Sequence, residues 1–355
     1  MKTVSFLKRL AAFSVAAASL FTFVSCSSSV ESYEVLTYNG KSITNNSYNY
    51  ELSVTKTTFL YSYMGDSSNI SDVSEIWDVE ISKGITLSDS LKESVYRTSL
   101  LKLFYFDYAE KNGISLSDTD LKEIDDSFNK IKNAFKSNGE FLDYLLPYSL
   151  DDELLLQYLK EEKLAAKVKT KVFTSGGEFY IPDSQIIDVF HNTYATIKHV
   201  YINNVNKTLL NGKTIPLTED EKAEKQTLID SILLRLENGE NINDLISEQS
   251  QDEFYKSRPN GLTFRKGETG INEIDTAVFN SSVGDIFAVY TTSGAYIIEK
   301  LPLYEMAIAD VISKLRNEII YEKENEFLKT IQNGIVKNMQ FFDGIDVKSL
   351  PLITI

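Results

Sequence analysis

The chain has 355 residues, with 36 Lys and Arg against 51 Asp and Glu and a formal charge of −15 at neutral pH. A surface this acidic repels nucleic acid and anionic lipid headgroups, which excludes binding driven by phosphate contacts. One cysteine (Cys26) and two histidines (His191 and His199) exclude an intramolecular disulfide and leave too few soft ligands for a zinc or other transition-metal site.

At the N-terminus, Lys2, Lys8 and Arg9 precede 16 small and apolar residues without charge, 10 to 25. That is short of the roughly 20 apolar residues a membrane-spanning helix needs, and it has the form of a secretory signal. The run ends in Phe23-Val24-Ser25-Cys26 followed by three serines, which resembles a bacterial lipobox, with Phe23 where that motif usually has Leu. The resemblance implies that residues 1–25 are removed and that Cys26 becomes the acylated, palmitate-bearing first residue of a short tether, 26–32. The alternative is an ordinary secretory signal with an incidental cysteine. Removal of 1–25 leaves 33 basic against 51 acidic residues, a formal charge of −18. Membrane contact would then rest on the lipid alone, for which two or more acyl chains suffice.

About 330 remaining residues exceed what one compact core usually serves, so at least two domains are expected. Residues 33–43, YEVLTYNGKSI, predict a β-hairpin turning at Asn39-Gly40. Four helices are predicted next. The first, 88–111, ends at the cap-like Asn112-Gly113. The second, 118–136, starts behind a Ser117/Asp120 capping box. The others span 139–146 and 150–172. A further helix over 182–194 begins at Pro182 and leads into the alternating segment TIKHVYI at 196–202. The charge run TEDEKAEK, 218–225, reads as a solvated helix face behind a Thr218/Glu221 capping box. One long amphipathic helix is predicted over 305–337; a lone helix would leave its apolar stripe in water, so it should pack on the N-terminal helices.

Between the helix over 182–194 and the one over 305–337 lies an ordered set of short motifs: TIKHVYI at 196–202, SQD at 250–252, FRKGE at 264–268, AVF at 277–279, VGD at 283–285 and SGAYII at 293–298. In this order and at these distances they resemble a parvulin-type peptidyl-prolyl isomerase domain, covering 195–303. The whole arrangement of hairpin, helices, parvulin block and returning helix is similar to the PrsA and SurA type of extracytoplasmic foldase. The implied architecture is α+β. A helical chaperone module is built from 33–194 and 304–355, and the parvulin domain is a four-stranded antiparallel sheet wrapped by helices.

Isomerising an X-Pro bond means crossing a rotation barrier of about 18 to 20 kcal/mol. The step needs no nucleophile, metal or cofactor. A catalyst must bind the twisted amide better than either planar form, with an apolar proline pocket and a few aimed polar groups. The resemblance supplies candidates residue by residue. His199 matches the first of two histidines and Asp252 the central acid. Tyr296 occupies the second histidine's position, and its hydroxyl can still donate or accept a hydrogen bond. Phe264, Thr269, Ile274 and Phe279 match the proline pocket, with Thr269 where Met is usual and Ile274 where Phe is usual, which implies a shallower pocket. Alone, each has an ordinary structural reading: a packed strand residue for His199 and Tyr296, a turn or cap for Asp252. His191 reads as a surface residue.

No phosphate-loop, dinucleotide-binding, serine-hydrolase or zinc-protease motif is present in the sequence, so no cofactor, nucleotide or nucleic acid is expected. The implied partners are unfolded or newly exported proteins, through X-Pro segments, and the membrane through the anchor. Three functions stay open at this level: an active isomerase, a catalytically silent holdase of the same architecture, and a solute-binding or adhesive surface lipoprotein.

Overall fold

The computed structural model describes residues 30–64, 74–256, 258 and 260–353. The signal-like run and Cys26 lie outside them. The fold is α+β, in two compact units. One comprises the described residues up to Val172 together with those from Glu324 onward; the other is Phe173–Lys323.

The first unit opens with β1 (Glu34–Tyr38) and β2 (Lys41–Thr44), turning at Asn39 and Gly40, both at positive φ. The type of turn that closes so tight a hairpin needs this, and Asn-Gly meets the need at least cost. The chain passes directly into α1 (Asn45–Met64), a helix the sequence pattern does not reveal. Polar residues sit on its buried side: Lys56 is fully enclosed, its Nζ donating to the carbonyls of Lys348 (3.2 Å) and Leu350 (2.8 Å). A short hairpin, β3 (Glu80–Ser82) and β4 (Ile85–Thr86), leads to α2 (Leu87–Lys111). This helix starts on a reciprocal cap between Thr86 and Asp89, one residue ahead of the expected start at 88. The anticipated Ser117/Asp120 box starts α3 (Asp118–Lys132). Then come α4 (Asn138–Leu145) and α5 (Asp152–Phe173). Tyr50, Phe141, Leu145, Tyr148, Leu155 and Tyr158 form one core cluster here.

The second unit begins with α6 (Asp183–Thr193), for which Pro182 serves as the extended residue just before the helix rather than as its first turn. It continues through β5 (Tyr194–Ile202), a small hairpin of β6 (Asn206–Thr208) and β7 (Thr214–Pro216), α7 (Glu219–Glu237), α8 (Ile242–Gln249) and the single turn α9 (Glu253–Lys256). β8 (Leu262–Arg265), α10 (Asn272–Asn280), β9 (Ile286–Tyr290) and β10 (Ala295–Leu301) complete it. The sheet order is β8-β5-β10-β9, every pair antiparallel. Strand alternation gives the sheet two apolar faces. Val200, Ile202, Ala295 and Ile297 pack with Ile229, Ile232, Leu236 and Leu245 of α7 and α8. Ala195, Ile197 and Ile298 pack with Phe264 and with Ile274 and Val278 of α10.

The final helix is shorter than its periodicity suggests. α11 spans Ile308–Ile331 and gives way to a tight turn at Gln332–Gly334. The chain then forms β11 (Val336–Lys337), which pairs antiparallel with β1, and α12 (Met339–Asp343). The apolar residue at 335 that seemed to continue the helical stripe belongs to this return. Gly334 permits it, since any side chain there would run into the ring of Tyr38.

Candidate active site

Strand β5 is longer than its neighbour. β8 pairs with it only from Tyr194 to Ile197, so the edge beyond Lys198 needs other partners. The Ser-Gln-Asp segment after α8 supplies them. Gln251 N–H donates to the Tyr201 carbonyl (2.9 Å), Tyr201 N–H donates to Ser250 Oγ (3.1 Å), and Asn203 N–H donates to Gln251 Oε1 (2.6 Å). Ser250 Oγ also accepts from Asp252 N–H (3.3 Å). A segment remote in sequence is thus fastened alongside β5, and its last residue, Asp252, meets His199.

The two side chains are 3.2 Å apart, His199 Nε2 to Asp252 Oδ2. A carboxylate can only accept, so Nε2 carries the proton and Nδ1 the lone pair of the neutral ring. His199 is 6% exposed. Burial pulls its pKa below the ordinary 6.5, and the hydrogen bond and charge of Asp252, which push the other way, do not offset it. The imidazole is therefore neutral at physiological pH.

His199 lies on the α10 face of the sheet, opposite Ile298 in the register. Tyr296 is on the same face one step along, opposite Tyr201. Its ring centroid is 5.4 Å from that of His199 and 4.8 Å from that of Tyr201. Among the described residues the Tyr296 hydroxyl makes no hydrogen bond to His199, so the two meet ring to ring. Phe264 and Phe279 pack edge to face at 5.8 Å, with Ile274 in the same cluster. Thr269 is placed differently. Its hydroxyl is 2.7 Å from the carboxylate of buried Asp275 and also accepts from Ile271 N–H, which ties it into the loop before α10. The structure thus brings His199, Asp252 and Tyr296 together and groups Phe264, Ile274 and Phe279, while the Thr269 hydroxyl is spent on the loop. His191 is exposed and sits 3.1 Å from Glu305.

Sequence reasoning missed Tyr255 and Arg258. The Tyr255 ring stands on His199 (5.0 Å, 63°), and both residues line a crevice with His199, Lys198, Gly261 and Leu262. That crevice holds about 10 Å³, the size of one water and too small for a pyrrolidine ring. Their position a few residues beyond Asp252 was the available signal.

The sheet, the helices α7, α8 and α10 that cover its two faces, His199 and Asp252 all fall within one continuous stretch of the chain. Residues 185–301 match the family model of the PPIC-type PPIase domain. This part of the chain is a parvulin-type domain. The match stops short of the first unit. No curated protein matches the chain. Among solved structures, it is similar to the peptidylprolyl isomerase PrsA of Bacillus cereus, at 18% identity over 72% of this chain and 91% of that one, with a TM-score of 0.34. It is also similar to the foldase protein PrsA of Streptococcus pneumoniae, at 20% identity over 74% and 96%, with a TM-score of 0.26. A SurA-like chaperone of Campylobacter jejuni is similar at 15% identity over 88% and 98%, with a TM-score of 0.23.

Proposed function

We propose that the chain is an extracytoplasmic folding factor, anchored by lipid at Cys26, whose parvulin domain isomerises X-Pro bonds in exported proteins. The observation that carries this reading is the contact of His199 with Asp252 on the apolar face of a parvulin sheet. No bond to the substrate is made or broken. As the X-Pro bond twists, its nitrogen regains a lone pair and its carbonyl loses conjugation, so fixed dipoles on a dry face favour that geometry over the planar ones. Burial keeps His199 uncharged, and Asp252 fixes its tautomer, which aims the Nδ1 lone pair and the ring dipole in one direction. Each 1.4 kcal/mol of preference for the twisted amide is worth about tenfold in rate. Phe264 and Ile274 are buried, so of this group Phe279 is the one that offers apolar surface to the proline.

The test is a protease-free refolding assay limited by a cis-proline, with residues 26–355 as catalyst. Modest acceleration is expected, and at least a several-fold loss with His199→Ala. An unchanged refolding rate, or an unchanged effect of the variant with its fold intact, removes the isomerase assignment.

A holdase with a silent parvulin domain is the second reading. It is favoured by Tyr296 in the second histidine's position and by the small volume beside His199. Suppression of client aggregation without any acceleration of refolding would establish it. The anchor has its own test: palmitate labelling lost in Cys26→Ala, with release of the protein from the membrane fraction.

A further inference from the structure

His199 is held by unequal means. Asp252 fixes one ring nitrogen, and Tyr296, one of two tyrosine rings against the imidazole, belongs to β10, which is paired with both β5 and β9. The other ring, Tyr255, comes from outside the sheet. It is half-buried on α9, the single turn that begins at Glu253 directly after Asp252. Residues three apart on a helical turn share a face, so the turn after the acid carries Tyr255 to the same side chain that Asp252 meets. The centroids of Tyr255 and His199 are 5.0 Å apart at 63°, an edge-to-face contact. The Tyr255 hydroxyl makes no hydrogen bond among the described residues, so its contribution lies in the ring. That ring is braced in turn. The Arg258 guanidinium lies 5.3 Å from its centre and 4.6 Å from that of Phe254. Arg258 N–H donates to the Tyr255 carbonyl (3.1 Å), and Gly261 N–H donates to the Arg258 carbonyl (3.0 Å). The brace therefore runs from the start of β8 back to the imidazole.

We propose that Tyr255 is a positioning residue: its ring, braced by Arg258, fixes the plane of the His199 imidazole and keeps water from it. This rests on the isomerase reading above and adds to it a residue that acts through His199 rather than on the substrate. A single hydrogen bond leaves an imidazole able to tilt, and a ring packed against it removes that freedom. Without the ring, water reaches the imidazole and burial no longer opposes protonation, while the Asp252 carboxylate still favours the charged form. The titratable and charged groups around the imidazole are Asp252, Tyr255, Arg258, Lys198, Tyr201 and Tyr296. Replacing Tyr255 by Ala or Phe changes no formal charge among them at neutral pH.

The experiment titrates His199 by NMR in residues 26–355, with exposed His191 as internal reference, and measures the acceleration of cis-proline-limited refolding at about pH 6 and about pH 8. Tyr255→Ala should raise the His199 pKa and lower the acceleration about twofold to tenfold at the higher pH, the range of one aromatic contact. The loss should be larger at the lower pH, where more of the imidazole is charged. Tyr255→Phe, which restores the ring without the hydroxyl, should recover most of both effects. An unchanged His199 pKa in Tyr255→Ala, a faster catalyst, or equal damage from Phe and Ala overturns the proposal. Unaltered His191 titration and circular dichroism show that the fold is kept; should Tyr255→Ala not fold, Tyr255→Thr takes its place with the same expectations. If the wild-type protein accelerates no refolding, the isomerase reading falls and the His199 pKa alone decides whether Tyr255 shields the imidazole.

Discussion

Gly261 introduces β8 beside β5, and it is the residue on which the wall of the His199 crevice depends. It has φ +79°, and an added Cβ would overlap the Ile197 carbonyl oxygen while lying 3.2 Å from the carbonyl carbon and 3.3 Å from Lys198 Cγ. Backbone cannot give way as a flexible side chain can, because Ile197 is already paired with Leu262 and with Lys300 in the sheet. Gly267, shortly after β8, has φ +91° and nothing within 4 Å of the corresponding position. It serves as a control for conformational cost alone. A left-handed non-glycine residue costs about 1 to 2 kcal/mol, which is the whole expectation for Gly267→Ala. Gly261→Ala should add an overpacking penalty of about 1 to 3 kcal/mol, for a total of about 2 to 5. Hydrogen exchange read by mass spectrometry over 195–202 and 295–301 in the intact chain measures both. Because each 1.4 kcal/mol is tenfold, the Gly261 variant should open these strands at least about fivefold more often than the Gly267 variant. Equal effects of the two substitutions would refute the close approach and, with it, the account of how the crevice wall is placed.

Two further outcomes follow from buried charge. With only two histidines in the chain, His199 can be titrated by NMR against exposed His191, and its pKa should lie below 6.5. Since the unfolded chain then holds the proton more tightly, the contribution of His199 to stability is complete above about pH 6.5 and is lost as pH falls through the folded value. Urea unfolding that showed this residue stabilising the fold on acidification would contradict it. In the helical unit, Lys102 is 5% exposed and meets Glu51 at 3.0 Å and also Glu162. Burial works against its charge, but the two carboxylates outweigh that and hold its pKa above normal. Lys102→Met leaves both acids facing each other without a cation and should cost about 3 to 5 kcal/mol in urea unfolding at neutral pH. The loss should shrink as the acids protonate; a loss below about 1 kcal/mol would mean that water already solvates the cluster.

The sequence made some parts of this molecule legible and hid others, for physical reasons. Capping boxes at Ser117 and Thr218 were readable because their chemistry is local, and each starts a helix where expected. Helix α1 was not, because its buried side carries Asn46, Ser53, Lys56 and Thr57, which erase the apolar period. α11 was read too long because Ile335, spaced like a helical position, belongs to the return into β11. His199 and Asp252 could be paired across some fifty residues only through motif order; nothing local announces that Ser250 and Gln251 complete the edge of β5. Tyr255 and Arg258 escaped notice because an aromatic and a cation on a short turn look like any solvent-facing loop until the ring is seen on the imidazole.

The pairing of β1 with β11 joins residues about three hundred positions apart, Leu36 with Lys337. A ribosome delivers the N-terminal strand first, so the hairpin of β1 and β2 keeps one edge open until about three hundred further residues have been made. The intervening block can condense meanwhile and shorten the effective tether between the two strands, which lowers the entropy of closing so long a loop. Completion of the three-stranded sheet is thereby a late event in biosynthesis, and a truncation before residue 336 would leave that edge free to recruit a foreign strand.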